Sequence, residues 1–274
     1  MEKEITTLYQ SKPQSYTRDD RTLFDRFLQA LESGQIRACE PNGSGWKVNS
    51  WVKMGILAGF RMGAVIEMPW SEHKSFFDKD TFPERTFTLH QGLRIVPGGT
   101  SARGGCHLEP GVTVMPPSFI NVGAWVDSGT LVDSHALVGS CAQVGKNVHL
   151  SAGAMLGGVL EPIGSRPVVI EDDVFVGGNS GIYEGVIVQQ GAVIASGTII
   201  TGSTPIFDAT RGEFLQRDLG GSFTVPAKAV VVPGSRSLPR HQGFQVYCPI
   251  IIKYRDAKTD VSVQLERDLR AITQ

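Results

Sequence analysis

The residues of this chain able to do chemistry are scattered, and their spacing limits what they can do together. Three histidines, His107, His135 and His149, fall within one glycine-rich stretch. An imidazole titrates near neutrality and suits a general base. Their intervals of 28 and 14 residues contain no closely spaced pair of the kind a zinc site uses. Two aspartates, Asp127 and Asp133, each follow a valine. Either carboxylate could take a proton from a reacting amine, or could merely cap a backbone corner. Arg94 by itself is an ordinary surface cation. The four cysteines, Cys39, Cys106, Cys141 and Cys248, form no C-x-x-C pair, which argues against a zinc knuckle or a redox motif. They read as reduced, buried, inert thiols of a cytoplasmic protein. No Walker loop or dinucleotide-binding glycine fingerprint follows an expected strand.

The elements that must hold these groups show in the glycines. The chain has 274 residues and 32 glycines. Residues 104–202 hold 18 of those glycines but only 10 of the 53 charged residues. Within that stretch an aliphatic residue recurs every six positions, from Leu108 through Val114, Ile120, Val126, Val132, Val138, Val144 and Leu150 to Leu156. Fourteen residues later, two steps and two extra residues, the series resumes at Ile170 and runs through Val176, Ile182, Val188 and Ile194 to Ile200. A small or β-branched residue stands four places after nearly every member, with Leu160 the exception. A helix repeats near 3.6 and a flat strand at 2, so neither explains a period of six. A parallel β-helix does: each hexapeptide is a strand and a corner, and three make one triangular coil. Fifteen hexapeptides give five coils. Glycine, Asn and Asp at the corners tolerate left-handed backbone angles.

The flanks read as ordinary globular sequence. Asp19 and Asp20 offer N-caps to a helix whose apolar face is Leu23, Phe24, Phe27, Leu28 and Leu31, with Gly34 at its end. Residues 45–49 are extended. Ser50 caps a second helix, Trp51–Met62, and 64–90 is a loose region of strand and loop. The expected domains are therefore a mostly helical 1–103, a β-helix over 104–235 with a loop ejected at about 203–224, and a C-terminal extension, 236–274. That extension holds a strand over Phe244–Lys253 and a helix over Asp260–Ile272. A net charge of -1 removes the footprint of a general nucleic-acid binder. No long apolar run or leader stands out, so neither a membrane span nor secretion is expected.

Several motifs carry a close resemblance. Gly92-Leu-Arg-Ile-Val-Pro97, Asn121-Val-Gly-Ala-Trp-Val-Asp127, Val132-Asp133, the run from Gly139 to Ser151, Gly157-Gly-Val-Leu-Glu-Pro162, Tyr247-Cys248, Lys253 and Asp256-Ala-Lys-Thr259 resemble the tetrahydrodipicolinate N-succinyltransferases. These belong to the hexapeptide-repeat acyltransferases. The similarity implies a left-handed parallel β-helix, a hand that the usual crossover rule would not have chosen. It implies transfer of a succinyl group from succinyl-CoA to the amine of opened tetrahydrodipicolinate, on the route to lysine. It implies a homotrimer with active sites between subunits, no permanently bound cofactor and no metal. Asp133 matches the family's substrate-binding and catalytic aspartate. Arg94 matches its substrate-binding arginine, whose fork suits a carboxylate. Ser196 and Gly197 are expected backbone contacts for coenzyme A. Lys228, Arg236 or Arg240 could meet its phosphates.

The chain departs from the family at two places. Gly181 stands where many members have a glutamate, and Glu184 matches a separate family glutamate. His135 stands where a tryptophan is common, and could set local polarity or move a proton. The donor is thus open between succinyl-CoA and acetyl-CoA or another acyl-CoA, as in specialised routes of the tabtoxin type. Two further readings are a zinc carbonic anhydrase of the γ type, which the histidine spacing disfavours, and a non-catalytic β-helix module.

Overall fold

The computed structural model describes residues 1–43, 45–71, 74–218, 220–238 and 241–255. Asp256-Ala-Lys-Thr259, the helix expected over Asp260–Ile272, and Arg240 lie outside the described residues. The centre is a left-handed parallel β-helix. Each hexapeptide contributes a two-residue strand, and the strands stack into three faces. The first face stacks His107–Leu108, Trp125–Val126, Gln143–Val144, Val169–Ile170, Ile187–Val188 and Thr224–Val225. The second includes Arg94–Ile95, Thr113–Val114, Leu131–Val132, His149–Leu150, Phe175–Val176, Val193–Ile194 and Ala229–Val232. The third stacks Ser101–Ala102, Phe119–Ile120, Leu137–Val138, Met155–Leu156, Gly181–Ile182 and Ile199–Ile200.

The second residue of each hexapeptide strand points inward. The aliphatic ladder from Leu108 to Val231 is buried throughout and forms one core. At most corners the third residue after the inward aliphatic takes positive φ, Pro117 and Val159 being exceptions. Glycine often fills that place, but so do His135 (φ 61°), Cys141, Asn147, Asp173, Asn179 and Lys228.

Three details differ from the sequence reading. The coil starts before residue 104, because Arg94–Ile95 and Ser101–Ala102 already pair within its faces. The interval from Leu156 to Ile170 is one step, from the third face to the first, lengthened by an inserted loop. It is not two steps, and Val144 pairs directly below Ile170. Leu160, which broke the pattern, leaves the coil and packs against the N-terminal core. The loop ejected after residue 202 contains an antiparallel pair, Phe207–Asp208 with Glu213–Phe214.

Helices α1 (Glu2–Ser11), α2 (Arg18–Glu32) and α3 (Ser50–Met62) form the N-terminal unit. Thr17 caps α2 and Asp20 closes the capping box, so the cap lies two residues before Asp19. Asn49, one place before Ser50, is the N-cap position of α3. Gly34 takes φ +75° just past α2, as expected. Phe24, Phe27, Ile56 and Phe82 pack with Val122 and Cys141 of the coil in a second core, which fastens the unit to the prism. The C-terminal run is two strands. His241–Tyr247 pairs with Ser235–Leu238, and Ile250–Tyr254 runs antiparallel to Ala229–Val232. That last pairing covers the end of the second face. Among the described residues, no helix is long and apolar enough to cross a membrane.

Candidate functional site

The edge where the second face turns into the third carries four of the residues singled out by sequence: Asp133, His135, Ser196 and Gly197. Asp133 follows the inward Val132 and lies half-buried at this edge. Its Oδ1 accepts the Ser134 backbone N–H at 2.7 Å. Asp127 accepts the Ser128 N–H in the same way, at 2.7 Å, and Asn121 accepts that of Val122. The corner-capping role is therefore real for Asp133 and shared by its equivalents. Because capping uses one oxygen, the other is left without a protein partner among the described residues. The carboxylate is held by backbone geometry with one oxygen uncommitted.

His135 occupies the left-handed corner two residues on, where its N–H bonds the carbonyl of Pro117 at 2.6 Å and its side chain is exposed. Three rungs up the same edge are Ser196 and Gly197, both exposed. At a rung spacing of about 4.8 Å they lie roughly 14 Å along the axis from Asp133. The backbone comes close to itself here. A Cβ on Gly177 would lie 2.4 Å from the N atom of Ser196. Arg94 is exposed on the second face, two rungs below Leu131.

The remaining candidates lie elsewhere in the chain. Lys228 is exposed at the edge between the first and second faces. Glu184 is exposed at the edge between the third and first faces, where it helps line a groove of about 360 Å³ with Tyr183, Glu161 and Ser165. Arg236 sits in the strand Ser235–Leu238, with its Nε buried and unpaired. Gly181 is buried in the third face. A Cβ there would lie 2.4 Å from Cε2 of Tyr183, and one on Gly157 would lie 2.6 Å from Cδ1 of the same ring. The tyrosine thus takes the space that a side chain at 181 would need. Sequence reasoning noted the glycine but missed the ring two residues on, which was legible as an aromatic in an aromatic-poor stretch.

The other histidines have structural surroundings. His107 is buried, its Nδ1 2.9 Å from the Glu32 carbonyl and its Nε2 3.1 Å from Glu109. His149 packs edge-on to Phe175. His107 is on the first face, His149 on the second, and His135 at a corner, so they do not converge. Among the described residues no cluster of three metal-ligating side chains occurs. All four cysteines are buried free thiols. Burial raises the thiol pKa of Cys39 and Cys106 to about 11 and that of Cys141 to about 12, which keeps them protonated and unreactive.

Two inserted loops are clamped together beside the Glu184 groove. Arg166, from the loop between Leu156 and Ile170, donates to Asp218 of the ejected loop at 2.7 Å and to the Gly185 carbonyl at 2.9 Å. Lys53 of α3, fully buried, donates to the Ser165 carbonyl and holds the first loop from below.

Comparison with known proteins agrees with this anatomy. Residues 1–62 match the family model "Tetrahydrodipicolinate N-succinyltransferase N-terminal", and residues 167–202 match "Hexapeptide repeat of succinyl-transferase". A 2,3,4,5-tetrahydropyridine-2,6-dicarboxylate N-succinyltransferase of Herminiimonas arsenicoxydans is 42% identical over 263 residues, covering 94% of this chain and 92% of its own. The protein of that name from Histophilus somni (strain 2336) is 44% identical over 260 residues, covering 92% and 90%. One from Psychrobacter sp. (strain PRwf-1) is 43% identical over 94% of this chain and 93% of its own. At that identity over nearly its whole length, the chain belongs to the 2,3,4,5-tetrahydropyridine-2,6-dicarboxylate N-succinyltransferase family of hexapeptide-repeat acyltransferases.

Proposed function

We propose that the protein transfers a succinyl group from succinyl-CoA to the amine of ring-opened tetrahydrodipicolinate. The observation that carries this is the 42–44% identity, over 92–94% of the chain, to relatives of that name. In this reading the neutral amine attacks the thioester carbonyl while Asp133 accepts its proton. Collapse of the tetrahedral adduct breaks the carbon–sulfur bond, and the proton passes from Asp133 to the departing thiolate. The products are the amide and free coenzyme A. A carboxylate already fixed by the Ser134 N–H needs little reordering to do this. Arg94, with its planar fork, holds a carboxylate of the acceptor. The pantetheine arm lies along the edge toward Ser196 and Gly197, and Lys228 meets a phosphate.

Asp133 and Glu184 stand on the two edges that flank the third face, so Glu184 comes to the site only from a neighbouring subunit, while Lys228, on the opposite edge, meets only the far end of the coenzyme. A homotrimer with three prisms side by side supplies that arrangement. The outward residues of the third face support it: Phe119 and Ile199 are 38% and 37% exposed, and Leu137 and Met155 extend the same apolar stripe. A soluble cytoplasmic location fits such an enzyme.

The test is thiol release from succinyl-CoA and from acetyl-CoA, with tetrahydrodipicolinate or 2-aminopimelate as acceptor. Faster release from succinyl-CoA is expected, with an N-succinyl product. A preference for acetyl-CoA would move the protein to another donor. Release from neither, with ligand binding retained, would make it a binding module.

A further inference from the structure

A second cavity, of about 490 Å³, lies at the edge between the first and second faces, away from that of Asp133. One wall is the ribbon of Cys39–Asn42 and Gly45–Val48. The other follows four consecutive rungs, at Asp127, Gly145, Glu171 and Gln189. At about 4.8 Å per rung the trough is roughly 14 Å long.

Arg37 lines it and is held with unusual care. Its guanidinium lies 4.0 Å from the ring centroid of Trp125 and 5.6 Å from that of Trp46. Its Nε donates to Gln143 Oε1 at 2.7 Å, and the fully buried Gln143 is itself fixed by donating to the Cys141 carbonyl at 2.8 Å. Among the described residues no hydrogen bond or ion pair engages its two terminal nitrogens. Burial lowers its pKa from 12.5 to about 10, so it remains a cation at neutral pH while partly stripped of water. A desolvated charge without a direct partner is costly unless something else supplies one. The ring N–H of Trp125, on which it stacks, is also buried without a hydrogen-bond partner.

The carboxylates of the cavity are unequal. Glu171 is fully used, accepting from Trp46 Nε1 and from the Gln190 N–H, both at 3.0 Å. Asp127 and Asp172 each commit Oδ1 to a backbone N–H, of Ser128 at 2.7 Å and Lys146 at 2.8 Å. Their second oxygens have no partner among the described residues. The cavity thus combines a forked cation, an indole wall and two half-used carboxylates. A simple anion meets three carboxylates there, and a simple amine meets Arg37 and Lys146. A molecule with both poles matches both. We propose that this cavity binds a small α-amino acid, its carboxylate on the Arg37 fork and its ammonium group at Asp127 and Asp172.

The test is isothermal titration of the full chain with L-alanine, L-aspartate and L-lysine, and with acetate and methylammonium as one-pole probes. At least one amino acid is expected to bind with a Kd below about 1 mM, and the one-pole probes at least tenfold more weakly. Arg37→Lys keeps the charge and loses the fork. Asp127→Asn keeps the acceptor for Ser128. Each should weaken binding at least tenfold, Asp127→Asn with an unchanged melting temperature and Arg37→Lys, which also gives up the Gln143 bond, while still folded at the assay temperature; Asp133→Asn should not alter binding. The proposal is overturned if no amino acid saturates the protein, if the one-pole probes bind as well, or if Arg37→Lys binds like the wild type. None of these results bears on the acyl transfer assigned to Asp133.

Discussion

At the scale of single residues, the same corner chemistry recurs and only its surroundings distinguish one position from the next. Asn121, Asp127 and Asp133 all accept the following backbone N–H. Their types could be read from the sequence, but their difference could not. It depends on which prism edge each occupies, and a period of six repeats every edge alike. Asp127 lines the cavity that also holds Arg37, while Asp133 shares an edge with Ser196 and Gly197. Gly181 shows the same limit. As a letter it is one glycine among 32, and in space it lies under the ring of Tyr183. Gly181→Glu should therefore lower the melting temperature, because a Cβ 2.4 Å from a ring carbon forces the tyrosine out. Adding Tyr183→Ala should recover most of the loss. Equal stability of Gly181→Glu and wild type would show that the ring moves freely.

At the scale of elements, the inward ladder was legible because one buried position every six residues admits only aliphatics. Leu150, fully buried between Val132 and Val176, is a typical rung. Leu150→Ala should cost about 2–5 kcal/mol, measured by denaturant unfolding, since neighbouring coils cannot close the gap. The irregular parts were less legible because their reasons are tertiary. The loop after Leu156 is held by Lys53 and Arg166, and the ejected loop by Asp218. Helix α1 lacks a side-chain cap, and its buried Ile5 and Leu8 give only a thin apolar signal.

The covering strand Ile250–Tyr254 is fastened through Asp208. Burial by itself would raise the pKa of this carboxyl, but hydrogen bonds from the Thr210 and Tyr254 hydroxyls and the Thr210 N–H, with the charge of Arg211, bring it below the usual value. A depressed pKa contributes stability above the unfolded-state value, and that contribution is lost as pH falls through the folded-state value. The melting temperature should drop as pH is lowered from neutrality through about 4. In Asp208→Asn that acid limb should flatten. An acid limb identical to that of the wild type would place the sensitivity elsewhere.

At the scale of the whole molecule, the three edges of the prism hold Asp133, Glu184 and Lys228 apart within one chain. The N-terminal core covers part of the edge between the third and first faces through Val122 and Cys141, and the C-terminal strand closes one end. The third face keeps the outward stripe of Phe119, Leu137, Met155 and Ile199. Sedimentation equilibrium should give a trimer. Replacing Phe119 and Ile199 together by Lys should dissociate it and abolish turnover while the coil core remains folded. A monomer with full activity would leave Glu184 without a part in the site.

The most direct measurement is kcat/KM for succinyl transfer to tetrahydrodipicolinate, in the wild type and in Asp133→Asn side by side. Asparagine keeps the acceptor that the Ser134 N–H needs and removes only the base. The account predicts a loss of about 10²–10⁴-fold, with melting temperature and oligomeric state unchanged. Turnover by Asp133→Asn within a fewfold of the wild type would contradict it.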